Sequence, residues 1–293
     1  MSSTDSRILL LGLRGSGKTT FLAALWHYLE SAEVTDQLEI PQLQPDRDYL
    51  NSIRTNWLSV KPVGRTSLRS TTTVSLSLHD KLANSDIEIS IPDLSGESFR
   101  LQWSTRKAPS TYVSFARNCT AAFIFIHPSL LKRTHALKAA SEDSQIITEA
   151  DSARIPSAPI WSAERSSTQV QLVDILQLLL RMREVAGQMR LAVIISAWDL
   201  VKARISPAGW LDSRLPLLSQ FLRSNDDLFT SEVFGVSAQG GDLLEDRDRL
   251  LSNAVPSSRC HALQGDSLNV VSIAEPLRFL LDVARPNSLA DHR

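Results

Sequence analysis

The chain has 293 residues, 43% of them hydrophobic and 22% charged, with a formal net charge of −1. That is the balance of an ordinary globular protein with ample length for a core, and it gives no global field to attract nucleic acid or anionic lipid. The two cysteines, Cys119 and Cys260, have no metal-ligand or redox spacing, and no apolar run approaches the roughly 18 residues needed to cross a bilayer, so a reducing, cytoplasmic setting without a membrane span is expected.

Arg7–Leu13 reads as a buried first strand, too short for the core of a signal peptide. It runs into Gly12-Leu13-Arg14-Gly15-Ser16-Gly17-Lys18-Thr19, a full match to GxxxxGK[ST]; chance yields that pattern about once in a hundred chains of this length. A strand before it and a helix after it are what the motif demands. Glycines let backbone N–H groups wrap a phosphate, and the helix N-terminus adds positive potential. In this pattern Lys18 bridges β- and γ-phosphates, the Thr19 hydroxyl ligates Mg²⁺ and Thr20 reaches the α-phosphate. Arg14 sits where bulk crowds the γ-phosphate; the plainer reading is a solvated side chain.

Lys18–Ser31 is the first helix, with Phe21, Leu22, Leu25, Trp26 and Leu29 at helical spacing. Asp46 is placed to cap a short helix bearing Tyr49, Ile53 and Trp57. Next come candidates for a first switch. Thr66, just before the following strand, is expected to close on Mg²⁺, with Thr71 and Thr72 as alternatives. Arg65 and Arg69 offer a cis arginine finger, or are simply solvated.

Leu68–Leu78 alternates as a half-buried strand, and Ile87, Ile89 and Ile91 repeat the alternation after a turn near His79–Ser85, so the pair reads as a hairpin at a sheet edge. It leads into Asp93-Leu94-Ser95-Gly96-Glu97. An aspartate at that strand end holds Mg²⁺ through water, and the Gly96 N–H senses the γ-phosphate. Glu97 stands where a residue orienting water is expected, although its charge also suits an ordinary first helical turn.

Ala121–Ile126 and Leu191–Ser196 read as fully buried strands, Val170–Val185 as a helix ending near Gly187, and Pro207–Arg223 as one helix opened by proline. The strand Leu191–Ser196 ends in Ser196-Ala197-Trp198-Asp199. A carboxylate at Asp199 accepts from N1 and N2 of guanine, a donor pair that adenine lacks; the alternative is a helix-capping aspartate. The guanine signature is [NT]KxD, and here Ser196 and Ala197 depart from it. Trp198 either stacks on a base or packs in the core. Glu232–Val236 reads as the last strand, and the Ser237-Ala238 pair after it is placed to offer a backbone N–H to guanine O6. Ala274–Ala284 closes the chain as a helix with Pro276 in its first turn.

The alternation of strands and helices predicts an α/β fold: a mostly parallel sheet with one antiparallel edge strand and helices on both faces. Leu131–Thr168 and Gln239–Asn269 lack periodicity and exceed ordinary connection lengths.

Together these elements stand in the order of a GTPase domain. More narrowly, GLRGSGKTTFLAALWHYL, IPDLSGESF, SAWD, VSAQG and EPLRFLL resemble bacterial double-GTPase proteins of conflict systems, within the translation-factor-like clade that includes Ras-type switches. The resemblance runs from Arg7 to Ala284. It implies a Ras-like P-loop NTPase fold, forming a single GTPase domain over 1–293 with insertions at about 32–65, 131–168 and 239–269 and a frayed tail at 286–293. It also implies GTP and Mg²⁺ as ligands, and signalling in bacterial defence or stress through protein partners such as a second GTPase and adaptor proteins. Two other readings remain open from the residues: an ATPase or small-molecule kinase, and a nucleotide-binding adaptor module without turnover.

Overall fold

The computed structural model describes residues 4–31, 33–41, 46–63, 73–92, 96–132 and 166–283. In chain order the strands are β1 (Thr4–Gly12), β2 (Leu38–Glu39), β3 (Thr73–Asp80), β4 (Ser85–Pro92), β5 (Ala121–Ile126), β6 (Met189–Ser196), β7 (Phe229–Ser237), β8 (His261–Gln264) and β9 (Val270–Val271). The helices are α1 (Lys18–Glu30), α2 (Arg47–Leu58), α3 (Gly96–Thr105), α4 (Ser110–Arg117), α5 (Thr168–Met182), α6 (Pro207–Arg214), α7 (Pro216–Arg223), α8 (Arg247–Leu251) and α9 (Glu275–Leu281).

The strands form one sheet in the order β2-β3-β4-β1-β5-β6-β7-β8-β9. Its centre, from β4 to β7, is parallel. Antiparallel strands close both edges, rather than the one edge expected from the sequence. The continuous apolar runs are explained by burial on both faces. Ile8 and Leu10 of β1, Phe123 and Phe125 of β5 and Ile194 of β6 join the core under α1, α2 and α9. Leu9, Leu11, Ile124, Ile126, Val193 and Ile195 join the opposite core under α5, α6 and α7. Phe21 anchors α1 with its ring 5.4 Å from those of both Phe123 and Phe125.

Several expectations change in detail. Pro207–Arg223 is two helices, because Pro216 lacks an N–H and Leu215 before it leaves helical geometry at φ −136°, ψ 57°. Val170–Val185 spans Thr168–Met182 instead. Residues 239–269 are not a bare insertion: they carry α8 and β8, and β8 pairs with β7 in register Val236↔Ala262. Four residues, His-Ala-Leu-Gln, are too few for alternation to declare a strand. Asp46 precedes α2 but does not cap it; its Oδ2 accepts from the Ser75 N–H at 2.7 Å, tying the helix to β3. Both cysteines are buried free thiols that burial pushes up to about 12, so neither is poised as a nucleophile. Among the described residues no helix is long and apolar enough to cross a membrane.

Between α1 and α2 lies a half-buried polar cluster around the buried His27. His27 Nδ1 accepts from Arg54 Nε at 3.0 Å, so the ring proton sits on Nε2, 3.3 Å from a Glu33 oxygen. Arg54 also pairs with Glu30. Protonating His27 would put a donor against Arg54. Its pKa lies below the ordinary 6.5, chiefly through desolvation, which the Glu33 charge opposes. The folded state therefore binds this proton less readily than the unfolded chain does. The stabilising share is complete above pH 6.5 and is lost as pH falls below it. Urea midpoints are expected to drop between about pH 7.5 and about pH 5.5. A His27→Gln variant, which keeps a neutral acceptor for Arg54, should drop less steeply; parallel slopes would dismiss His27 as the cause.

Candidate functional site

The C-terminal ends of β1, β5, β6 and β7 converge, and there the fold leaves a cavity of about 340 Å³, within the range of small-molecule sites. Its wall includes Gly15, Gly17 and Thr20 from the first βα turn, His127, Ser196, Ala197 and Asp199 from the ends of β5 and β6, and Ala238, Gln239 and Asp242 after β7. Lys61, Pro62 and Val63, which follow α2, complete it.

The first βα turn folds as its glycines require. Gly17 sits at φ 91°, and a Cβ there would come within 3.0 Å of both the Cβ and the Oγ of Ser196. The turn thus presses directly on the end of β6, where Ser196 in turn donates to the Ile126 carbonyl at 3.2 Å. The contact explains the glycine at position 17: a side chain there would run into Ser196. Ser16 is buried, and its N–H donates to the Leu13 carbonyl. Lys18 folds back over the turn, its Nζ 2.7 Å from the Gly12 carbonyl and 3.4 Å from both the Leu13 carbonyl and Ser16 Oγ, with the Phe99 ring 5.8 Å away. Arg14 is exposed. Thr19 lines a small recess with Lys18, Ile91 and Pro92.

Also on the cavity wall, Asp199 lies in a 3-10 turn, Trp198–Leu200, entered through Ala197 at φ 46°. Its Oδ1 accepts from the fully buried Ser237 hydroxyl at 2.8 Å. Ser237 therefore holds the carboxylate in place, a role the sequence does not announce. Trp198 packs in the core. It is buried, and a Cβ on Gly235 would lie 2.4 Å from its ring, so only glycine lets β7 pass beneath it. The Ala238 carbonyl accepts from Trp57 Nε1 at 2.9 Å and from Cys260 Sγ at 3.3 Å.

Two parts of the wall escape the sequence reading. His127 directly follows β5, and its Nδ1 accepts from the Ser129 N–H at 3.2 Å, which fits a neutral ring. Its pKa is lowered by desolvation, against an opposing pull from the Asp199 charge. Its place at the C-terminal end of a buried strand was the available signal. Lys61–Val63 carried no such signal.

The structure thus brings Gly15, Gly17, Thr20, Asp199 and Ala238 to one cavity, with Gly12, Ser16, Lys18, Thr19 and Ser237 in the turns behind them. Gly96 and Glu97 open α3. Arg65, Thr66, Arg69, Thr71, Thr72 and Asp93 lie outside the described residues. Among the described residues there is no group of three or more His, Cys, Asp or Glu side chains able to hold a metal. A hydroxyl such as that of Thr19 fits Mg²⁺, which takes few protein ligands beside phosphate and water.

The model of the Double-GTPase 1 family matches residues 9–279. A comparison with curated proteins gives no match. Among solved structures, the chain is similar to the Arl6 BBS3 small GTPase of Trypanosoma brucei with the bound nucleotide analogue GppNp, at 14% identity and a TM-score of 0.38 over 87% of this chain and 99% of that one. It is also similar to a chain of the signal recognition particle receptor SRb-GTP/SRX complex of Chaetomium thermophilum, at 16% identity and a TM-score of 0.38 over 80% and 90%. Scores this low carry no argument about the site.

Proposed function

The chain belongs to the Double-GTPase 1 family, and on that premise we propose that it is a GTP-binding, GTP-hydrolysing switch that acts through protein partners. One observation carries the reading: the glycine-rich turn and Asp199, whose carboxylate accepts from the Ser237 hydroxyl, line a single cavity. A cavity walled by both suits a ligand that carries a polyphosphate and a base.

The amides of Gly12–Thr19 and the N-terminus of α1 receive the polyphosphate. Lys18 shares charge between β- and γ-phosphates, and Thr20 meets the α-phosphate. Thr19, with Asp93 and Thr66, would hold Mg²⁺, which supplies charge neutralisation on the phosphates when bound. Asp199 reads guanine, with Ser237 and Ala238 supporting it from the next strand. In hydrolysis, Glu97 orients a water toward the γ-phosphorus. The water oxygen bonds the γ-phosphorus and gives its proton to a phosphate oxygen, the bond to the oxygen bridging the β- and γ-phosphates breaks, and GDP and inorganic phosphate leave; Arg65 spreads charge in the transition state. Thr66 and Gly96 lose the γ-phosphate, and partners read the change. A single GTPase domain, a bacterial defence or stress role and a cytoplasmic setting complete the proposal.

Mass spectrometry of the nucleotide retained by the purified chain, with single-turnover phosphate release from GTP, tests it. Retained GDP or GTP and phosphate release that requires Glu97 are expected. Retained adenine nucleotide would overturn the base assignment, and absence of phosphate release with any partner would reduce the protein to a binding module.

A further inference from the structure

Ala197 removes the lysine that would cover the base, yet a different lysine reaches the same cavity. Lys61 lines it together with Asp199 and Ala238. Its position is set by the end of α2. The Lys61 N–H donates to the Asn56 carbonyl at 3.0 Å and the Val60 N–H to the Trp57 carbonyl at 3.1 Å. This is a helix stop in which the penultimate residue is left-handed, a place glycine ordinarily fills. Here it is Val60, at φ 51°. A β-branched residue in that conformation persists only where its surroundings enforce it. Two contacts do so. Arg247 Nη1 donates to the Val60 carbonyl at 2.7 Å, and Trp57 donates its indole N–H to the Ala238 carbonyl. Arg259 lies over the Trp57 ring at 4.2 Å. The chain is thus bent at Val60 so that Lys61, Pro62 and Val63 join the cavity wall, and the bend is fastened to the loop that follows β7.

We propose that Lys61 replaces the base-covering lysine missing at Ala197, laying its aliphatic stem across the base, and that Trp57 is the positioning residue that holds this wall against the Ala238 loop. The inference rests on the guanine-nucleotide reading of the cavity and adds the second wall of the base site. A lysine stem on a flat ring combines apolar cover with attraction between the ammonium and the ring.

Calorimetry on the full chain, with GDP and with inorganic pyrophosphate as probes, separates base from phosphate contributions. Lys61→Ala is expected to weaken GDP about tenfold, the worth of covering a base with a few methylenes, and to leave pyrophosphate unchanged. Lys61→Met, which keeps an unbranched stem, should stay within about threefold of the parent for GDP. Trp57→Phe keeps an aromatic ring but deletes the N–H; it should weaken GDP several-fold and spare pyrophosphate, whereas a merely structural role would weaken both alike. Lys61→Ala that leaves GDP untouched, or that weakens GDP and pyrophosphate equally, overturns the proposal. Asp199→Ala tells the two failures apart. If it weakens GDP while Lys61→Ala does not, only the role of Lys61 falls; if neither matters, the base reading falls with it.

Discussion

Lys18→Ala is expected to lower GTP affinity by at least about a hundredfold, because two charge-assisted bonds to phosphate oxygens are worth about 3 to 6 kcal/mol together. The structure supports an effect that large. The ammonium rests on carbonyls of its own turn, 2.7 Å from Gly12 and 3.4 Å from Leu13, so it is held at the mouth of the turn before any ligand arrives. Little ordering remains to be done on binding. The variant also removes the ammonium's bonds to the turn's own carbonyls, so the loss measures the amine together with its hold on the turn. Isothermal calorimetry with GTP reads it directly, with circular dichroism to verify folding. A folded Lys18→Ala protein with parental GTP affinity would show that polyphosphate does not bind at this turn.

The second large effect concerns the base. Asp199→Asn exchanges one acceptor oxygen for a donor group. Guanine presents two donors to that position, while xanthine presents an acceptor in place of the amino group. The relative preference for GTP over xanthosine triphosphate should fall by about a hundredfold, since a bidentate pair is worth about 1 to 3 kcal/mol in discrimination. The variant is clean for a local reason: the oxygen of the new side-chain amide can still accept from the Ser237 hydroxyl, which reaches Asp199 at 2.8 Å in the parent chain. Competition between the two triphosphates measures the change, and an unaltered preference would remove guanine reading from Asp199.

The parts of the site that were legible in the sequence are those fixed by local backbone demands. Gly17 is needed because the turn touches Ser196, and a glycine-rich run between strand and helix advertises that need. The buried strands β5 and β6 stood out because both their faces are covered, leaving unbroken apolar runs. What depended on distant contacts did not stand out. Ser237 looked like a donor of a backbone N–H, and only the sheet shows its hydroxyl on Asp199, 38 positions away. Trp57 looked like one more apolar residue on a helix, yet its indole reaches the Ala238 carbonyl across 181 positions. Val60 hid its role because nothing in a valine signals a left-handed helix stop; the Arg247 and Trp57 contacts that enforce it arise only on folding. Pro216 was visible, and the apolar pattern running through it disguised the break between α6 and α7.

The outermost strands, β2 and β9, are each two residues long. Strands so short offer few unpaired backbone groups of their own to template another chain. Recognition by strand addition, in which a partner extends the sheet, is therefore poorly served at β2 and β9 themselves. On the proposed switch reading, a protein sensing the nucleotide state would meet the loop-bearing end of the sheet, where the phosphate turn, the Lys61–Val63 wall and the residues after β7 line one cavity. Contact there would join ligand and partner at one surface, so that occupancy of the cavity is felt without any change transmitted through the core.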